Sequence, residues 1–192
     1  LANIYVMQYK NTDIAFFHSW VGAPIAVGVM EFVIAYGGRK FIACGGCGVL
    51  DRSIAAGFVL VPTSAVRDEG TSYHYLPPSR EVLIKKKGIQ SITKVLENHN
   101  VDYLKCKTWT TDAFYRETSD RVELRRDEGC LTVEMECSAL AAVSEFRGVN
   151  FAQILYSGDS LEASNYDDRE WWNNLTVREK LFMLSLDACL EL

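Results

Sequence analysis

Three short segments carry the side chains best suited to bond-making chemistry. Val133-Glu134-Met135-Glu136 sets two carboxylates where a short apolar run meets an apolar helical pattern. Acidic residues in a first helical turn are ordinarily partners of the helix dipole, and on composition that reading is strong. Asp159 follows the apolar run Phe151–Tyr156 within Ser157-Gly158-Asp159-Ser160. The carboxyl end of a strand would present it to a crevice, although an Asp in such a turn also serves simply as a turn or cap residue. Arg67-Asp68-Glu69-Gly70-Thr71-Ser72-Tyr73-His74-Tyr75 interleaves ionisable and aromatic groups without helical or strand periodicity. Its place just after a strand-like run favours a ligand site over an ordered surface loop.

A fourth segment, Ala43-Cys44-Gly45-Gly46-Cys47-Gly48, follows an apolar strand, and its glycines leave backbone amides open to an anion. The same residues also make a tight turn, and the segment alone does not choose. The spacing G-x-G-x-x-G of a dinucleotide site is not met. Cys44-x-x-Cys47 invites a redox or zinc reading, but no second pair stands at zinc spacing, so no metal site is assigned. Phe114-Tyr115, Met135 and His18 read on composition as core or satisfied residues.

The elements that must position these groups alternate. Apolar runs rich in β-branched and aromatic residues predict strands over Ile4–Tyr9, Asp13–His18, Lys40–Cys44, Phe58–Thr63, Tyr103–Trp109 and Asn150–Tyr156. Helical spacing predicts Ala26–Tyr36, entered through Gly22-Ala23-Pro24 and ended by Gly37-Gly38, together with Gln90–Asn98, Met135–Phe146 and Val177–Leu190. Thr176 with Glu179 looks like a capping box for the last of these. Alternating strands and helices imply an α/β fold with a central mixed or mostly parallel sheet and helices on its faces. Asp68–Arg80 and Asp159–Glu170 are long polar connections of the kind that carries function.

With 192 residues, 48% of them hydrophobic, the chain has material for one domain. A net charge of −5 and scattered Lys and Arg point away from nucleic acid and toward a small-molecule partner. No run approaches the ~20 apolar residues of a membrane span, and no signal-peptide pattern opens the sequence. Six cysteines, mostly within apolar runs, suit reduced thiols, so a cytoplasmic setting without structural disulfides is expected.

Taken in order, Val21–Pro24, Gly45–Gly48, Arg67–Tyr75, Thr111–Tyr115, Val133–Glu136 and Ser157–Asp159 resemble the first nucleoside phosphorylase family, which includes hexameric purine nucleoside phosphorylases, uridine phosphorylases and methylthioadenosine nucleosidases. The resemblance implies a three-layer α/β/α domain around a mixed, partly closed sheet, assembled as a dimer or hexamer. It implies no cofactor beyond phosphate as co-substrate. Glu136 would hold the ribose hydroxyls and Asp159 would protonate the purine ring. Phe114 would stack on the base and Met135 would pack under the sugar, with Glu134, His74 and Arg169 also at the substrate. Gly45, Gly46 and Arg67 would face phosphate. The implied reaction is phosphorolysis of a purine nucleoside, with a phosphate-independent nucleosidase and a non-catalytic nucleoside binder as alternatives.

The departures from that family bear on the nucleophile. Ala43 and Gly46 stand where its phosphorylases carry an Arg and a Ser or Thr that touch phosphate, and each lost charge-assisted hydrogen bond is worth about 1.5–3 kcal/mol. Arg67, Arg39 or a neighbouring subunit would have to compensate. The family's N-terminal Gly-Asp-Pro phosphate loop has no counterpart in this sequence. Thr118 and Asp120 occupy the positions from which uridine phosphorylases grip uracil, which disfavours uridine.

Overall fold

A computed structural model describes residues 3–161, 167–170 and 175–192. Two strands open the chain as a separate antiparallel hairpin, β1 (Ile4–Tyr9) and β2 (Thr12–Phe17). Its two-residue turn places Lys10 and Asn11 at φ 48° and 62°, the left-handed pair that matches strand twist. Helix α1 (Ala23–Ala35) follows, with Pro24 in its first turn and Gly37 at φ 102° beyond its end.

Six strands make the main sheet, in the order β5 (Glu81–Leu83), β4 (Val59–Asp68), β6 (Tyr103–Thr111), β7 (Cys130–Glu134), β3 (Lys40–Val49) and β8 (Asn150–Ser160). The sheet does not stay open. Val59 and Leu60 of β4 also pair antiparallel with Tyr156 and Leu155 of β8, closing β4, β6, β7, β3 and β8 into a five-stranded barrel with β5 on its edge. The expected α/β class with a mixed sheet holds, and the pairing of β4 with β8 closes that sheet.

Strand alternation sorts the core into two sides. Leu60, Cys106 and Leu155 share a cluster with Cys47 and Val49. Their neighbours Val59, Val61, Ile154 and Tyr156 face the larger cluster formed with α1, α2 (Lys86–Asn98), α4 (Cys137–Arg147) and α5 (Leu175–Glu191). Helix α3 (Ser119–Asp127) covers a third cluster built on Val66, Trp109 and Val133.

Three expectations change. The glycine segment is no turn: β3 runs straight through it, in parallel register with β8 from Lys40↔Asn150 to Cys47↔Ser157. Likewise β4 continues to Asp68, which puts Arg67 inside a strand. Thr176 lies within α5, which already runs at Leu175, rather than capping it. Of the connection Asp159–Glu170, residues 162–166 lie outside the described residues. Three short or polar elements, β5, α3 and β7, were not predicted.

Gly88 shows how closely α2 sits on the barrel. A Cβ there would run into the Phe151 carbonyl oxygen and lie 2.9 Å from the Ala152 Cβ. Alanine is the better helix former by about 1 kcal/mol, yet overpacking of this kind costs about 1–3 kcal/mol. Gly88→Ala should therefore lower the urea midpoint of unfolding, and a raised midpoint would show that the contact relaxes freely.

Candidate active site

Where β3, β7 and β8 end, a cleft of about 690 Å³ opens, and Glu134, Met135, Glu136, Phe114, Asp159, Gly45 and Gly46 all line it. Each arrives by a different local device.

Glu134 ends β7 fully enclosed. One carboxylate oxygen accepts from the backbone N–H groups of Glu136 at 2.8 Å and Cys137 at 2.7 Å, and the other from the Thr110 hydroxyl at 2.6 Å. It thereby satisfies amides at the start of α4, whose own N-cap residue, Glu136, makes no side-chain cap bond. Burial, aided by the charge of Glu136, raises its pKa, while those three hydrogen bonds pull the other way.

Glu136 is half-buried, and its carboxylate accepts from the backbone N–H of Gly22. Gly22 can offer that N–H because it sits at φ 104°, a conformation that suits glycine. The start of α1 is thus fastened to the start of α4. Burial raises the Glu136 pKa against the pull of the Gly22 and Met135 amides.

Phe114 opens a single 3-10 turn, Phe114–Arg116, with its ring half exposed and 4.2 Å from that of Tyr115. Such a ring offers a face to a planar base. Asp159 sits near the end of β8, one residue beyond Gly158. Glu117, which the sequence did not single out, shares the cleft wall; burial and the charge of Asp159 push its pKa up to about 7. His18 and Trp20 also border the cleft, joined by a bond from the Trp20 N–H to His18 Nδ1 at 3.0 Å.

Three expected residues stand elsewhere. Arg67 is fully buried, and its guanidinium donates to the Ser72 and Ser79 hydroxyls and to the Pro77 and Leu76 carbonyls. Those bonds pin the 72–79 segment, and Arg67 does not line the cleft. His74 is exposed in the turn Ser72–His74 and does not border the cleft in this chain. Arg169 donates to the Ile54 and Arg52 carbonyls instead of reaching Asp159. Arg39, a suggested substitute at the anion, is spent on the Ile34 and Gly38 carbonyls. Cys44 and Cys47, three apart on one strand, project to opposite faces.

The chain belongs to the phosphorylase superfamily, whose family model matches residues 2–190. Guanosine phosphorylase of Halorubrum lacusprofundi is 26% identical over 158 residues, covering 82% of this chain and 66% of that enzyme. The structure of purine nucleoside phosphorylase from Toxoplasma gondii with immucillin-H superposes at TM-score 0.87, with 21% identity over 98% of this chain and 77% of its own. Uridine phosphorylase from Vibrio fischeri ES114 superposes at TM-score 0.85, with 26% identity over 99% and 78%. Among the described residues no helix is long and apolar enough to cross a membrane.

Glu134 makes stability depend on pH. Its folded pKa lies above the ordinary 4.5, so the folded state holds the proton longer than the unfolded chain does. Its contribution is complete below that ordinary value and is lost as pH rises through the raised one. Glu134→Gln keeps shape and the amide contacts but cannot ionise. The variant should lack the part of the decline in Tm between about pH 5 and about pH 8 that Glu134 causes; equal slopes in thermal melts of both proteins would show that Glu134 ionises normally.

Proposed function

We propose that the chain is a nucleoside phosphorylase acting on purine nucleosides. The observation that carries this is the meeting of two differently held carboxylates, Glu136 and Asp159, with the half-exposed Phe114 ring in one cleft. The relatives named for guanosine and purine nucleosides support the base, and the cleft supplies the chemistry.

A phosphate oxygen attacks the anomeric carbon as the bond to the base nitrogen breaks, and that bond's electron pair leaves with the base. Positive charge grows on the ribose and negative charge on the purine. Glu136, held by the Gly22 amide, accepts from the ribose hydroxyls and offsets the first. Asp159 gives its proton to the purine ring and quenches the second, releasing free base and ribose 1-phosphate. Such a donor must carry a proton near neutral pH, and Glu117, whose own pKa burial and the charge of Asp159 raise to about 7, lines the same cleft.

A second reading, hydrolysis by water, draws on Ala43 and Gly46, which place no anion-binding side chain on β3. Release of free base from inosine, guanosine, adenosine and uridine with and without phosphate decides between them. Phosphate-dependent release from purine nucleosides is expected; equal release without phosphate would establish a nucleosidase, and silence throughout a binding protein.

Asp159→Asn should lower kcat/KM on purine nucleosides by about 10²–10⁴-fold with the melting temperature little changed, and unaltered kinetics would remove Asp159 from the reaction. Glu117 itself titrates near pH 7 in the cleft, and Glu117→Gln removes that ionisation. The variant should lack the limb of the kcat/KM profile that falls near pH 7, and an unchanged limb would separate Glu117 from the reaction.

A further inference from the structure

Gly46 lies on β3 in register with Tyr156 on β8, and a Cβ at residue 46 would come within 3.0 Å of both the Tyr156 ring and its hydroxyl. The space a side chain at 46 would use is therefore filled from the next strand, and the filler carries an O–H group. That hydroxyl accepts from Arg178 Nε at 2.9 Å, which leaves its own proton to donate. Arg178 belongs to the first turn of α5, at the positive end of the helix dipole, and lines the cleft with Gly45, Gly46 and Tyr156. Among the described cleft residues it bears the only permanent positive charge, against the carboxyls of Glu117, Glu134, Glu136 and Asp159. A dianion entering that company needs a cation, and among the described residues the cleft has it at one place.

We propose that Arg178 and Tyr156 bind the attacking phosphate. The proposal rests on the phosphorolytic reading above and assigns the anion to α5 and β8 in place of the side chains missing at 43 and 46. The guanidinium turns its terminal nitrogens to the phosphate oxygens, the phenol donates a further hydrogen bond, and the open backbone at Gly45 and Gly46 lets the anion approach the strand.

Calorimetric titration of inorganic phosphate onto the full chain reads the site directly. Wild type should bind, Arg178→Gln should bind at least about 10-fold more weakly, and Tyr156→Phe, which keeps the ring over Gly46, about 3–10-fold more weakly. Inosine affinity without phosphate, from equilibrium dialysis, should be unchanged in both, and Tyr156→Phe guards against a folding defect in the arginine variant. Equal phosphate affinity in wild type and Arg178→Gln overturns the assignment, as does a loss of inosine binding equal to that of phosphate. Base release keeps the two questions apart. Phosphate-dependent release with an unchanged phosphate KM in Arg178→Gln overturns the site and leaves the reaction, whereas phosphate-independent release beside Arg178-dependent phosphate binding does the reverse.

Discussion

The carboxylate of Glu134, enclosed where β7 hands over to α4, is the contact on which both cleft and barrel lean. Burying an ionisable group is costly unless its lone pairs are met, and here two backbone amides and a threonine hydroxyl meet them. The arrangement continues outward. Thr110 accepts from the Ser138 amide, the Ser138 hydroxyl donates to Glu69, and the other Glu69 oxygen accepts from the Ser72 amide. Ser72 in turn accepts from Arg67 Nε. A buried polar line thus joins the β4 segment to the helix that presents Glu136. Arg67 is a remote anchor behind the cleft, outside its lining.

Environment divides the labour among four carboxylates that share one cleft. Glu134 is spent on amides of its own chain, so it shapes the backbone at Met135 and Glu136 more than it meets a ligand. Glu136 has one amide partner, from Gly22, and is only half-buried, which leaves it able to receive hydroxyl groups. Burial and the charge of Asp159 raise the pKa of Glu117 to about 7. Like-charge neighbours of this kind retain a proton that a lone exposed carboxylate would lose, and a glycosidic leaving group requires such a proton.

What local pattern encodes was legible. The apolar runs at Ile4–Tyr9 and Asn150–Tyr156 are strands, and Pro24 with Gly37 brackets a helix as expected. Seven residues expected around substrate or phosphate, from Gly45 to Asp159, meet in the cleft because an ordered set of motifs is a statement about a whole fold. What failed depends on partners distant in sequence. Glycines at 45, 46 and 48 look like a turn until β8 lies beside them and pairing keeps them extended. Barrel closure rests on Val59 and Leu60 meeting Tyr156 and Leu155, which no periodicity announces. Helix α3 hid because only Val122 and Arg125 of its residues are buried, so it carries no apolar stripe.

The same non-local logic governs residue 46. Taken alone, a glycine in place of a hydroxyl-bearing side chain is a deletion, and the natural inference is a weakened anion site. With Tyr156 across the strand pair it is a packing requirement, since a Cβ at 46 and the phenol at its present position compete for one volume. Glycine at 46, tyrosine at 156 and arginine at 178 are then one solution: the first makes room, the second returns a hydroxyl to nearly the same place, and the third holds that hydroxyl from α5. Because β3 and β8 are locked in parallel register over this stretch, neither strand can slide to relieve a clash. A change at any one of the three must be read with the other two.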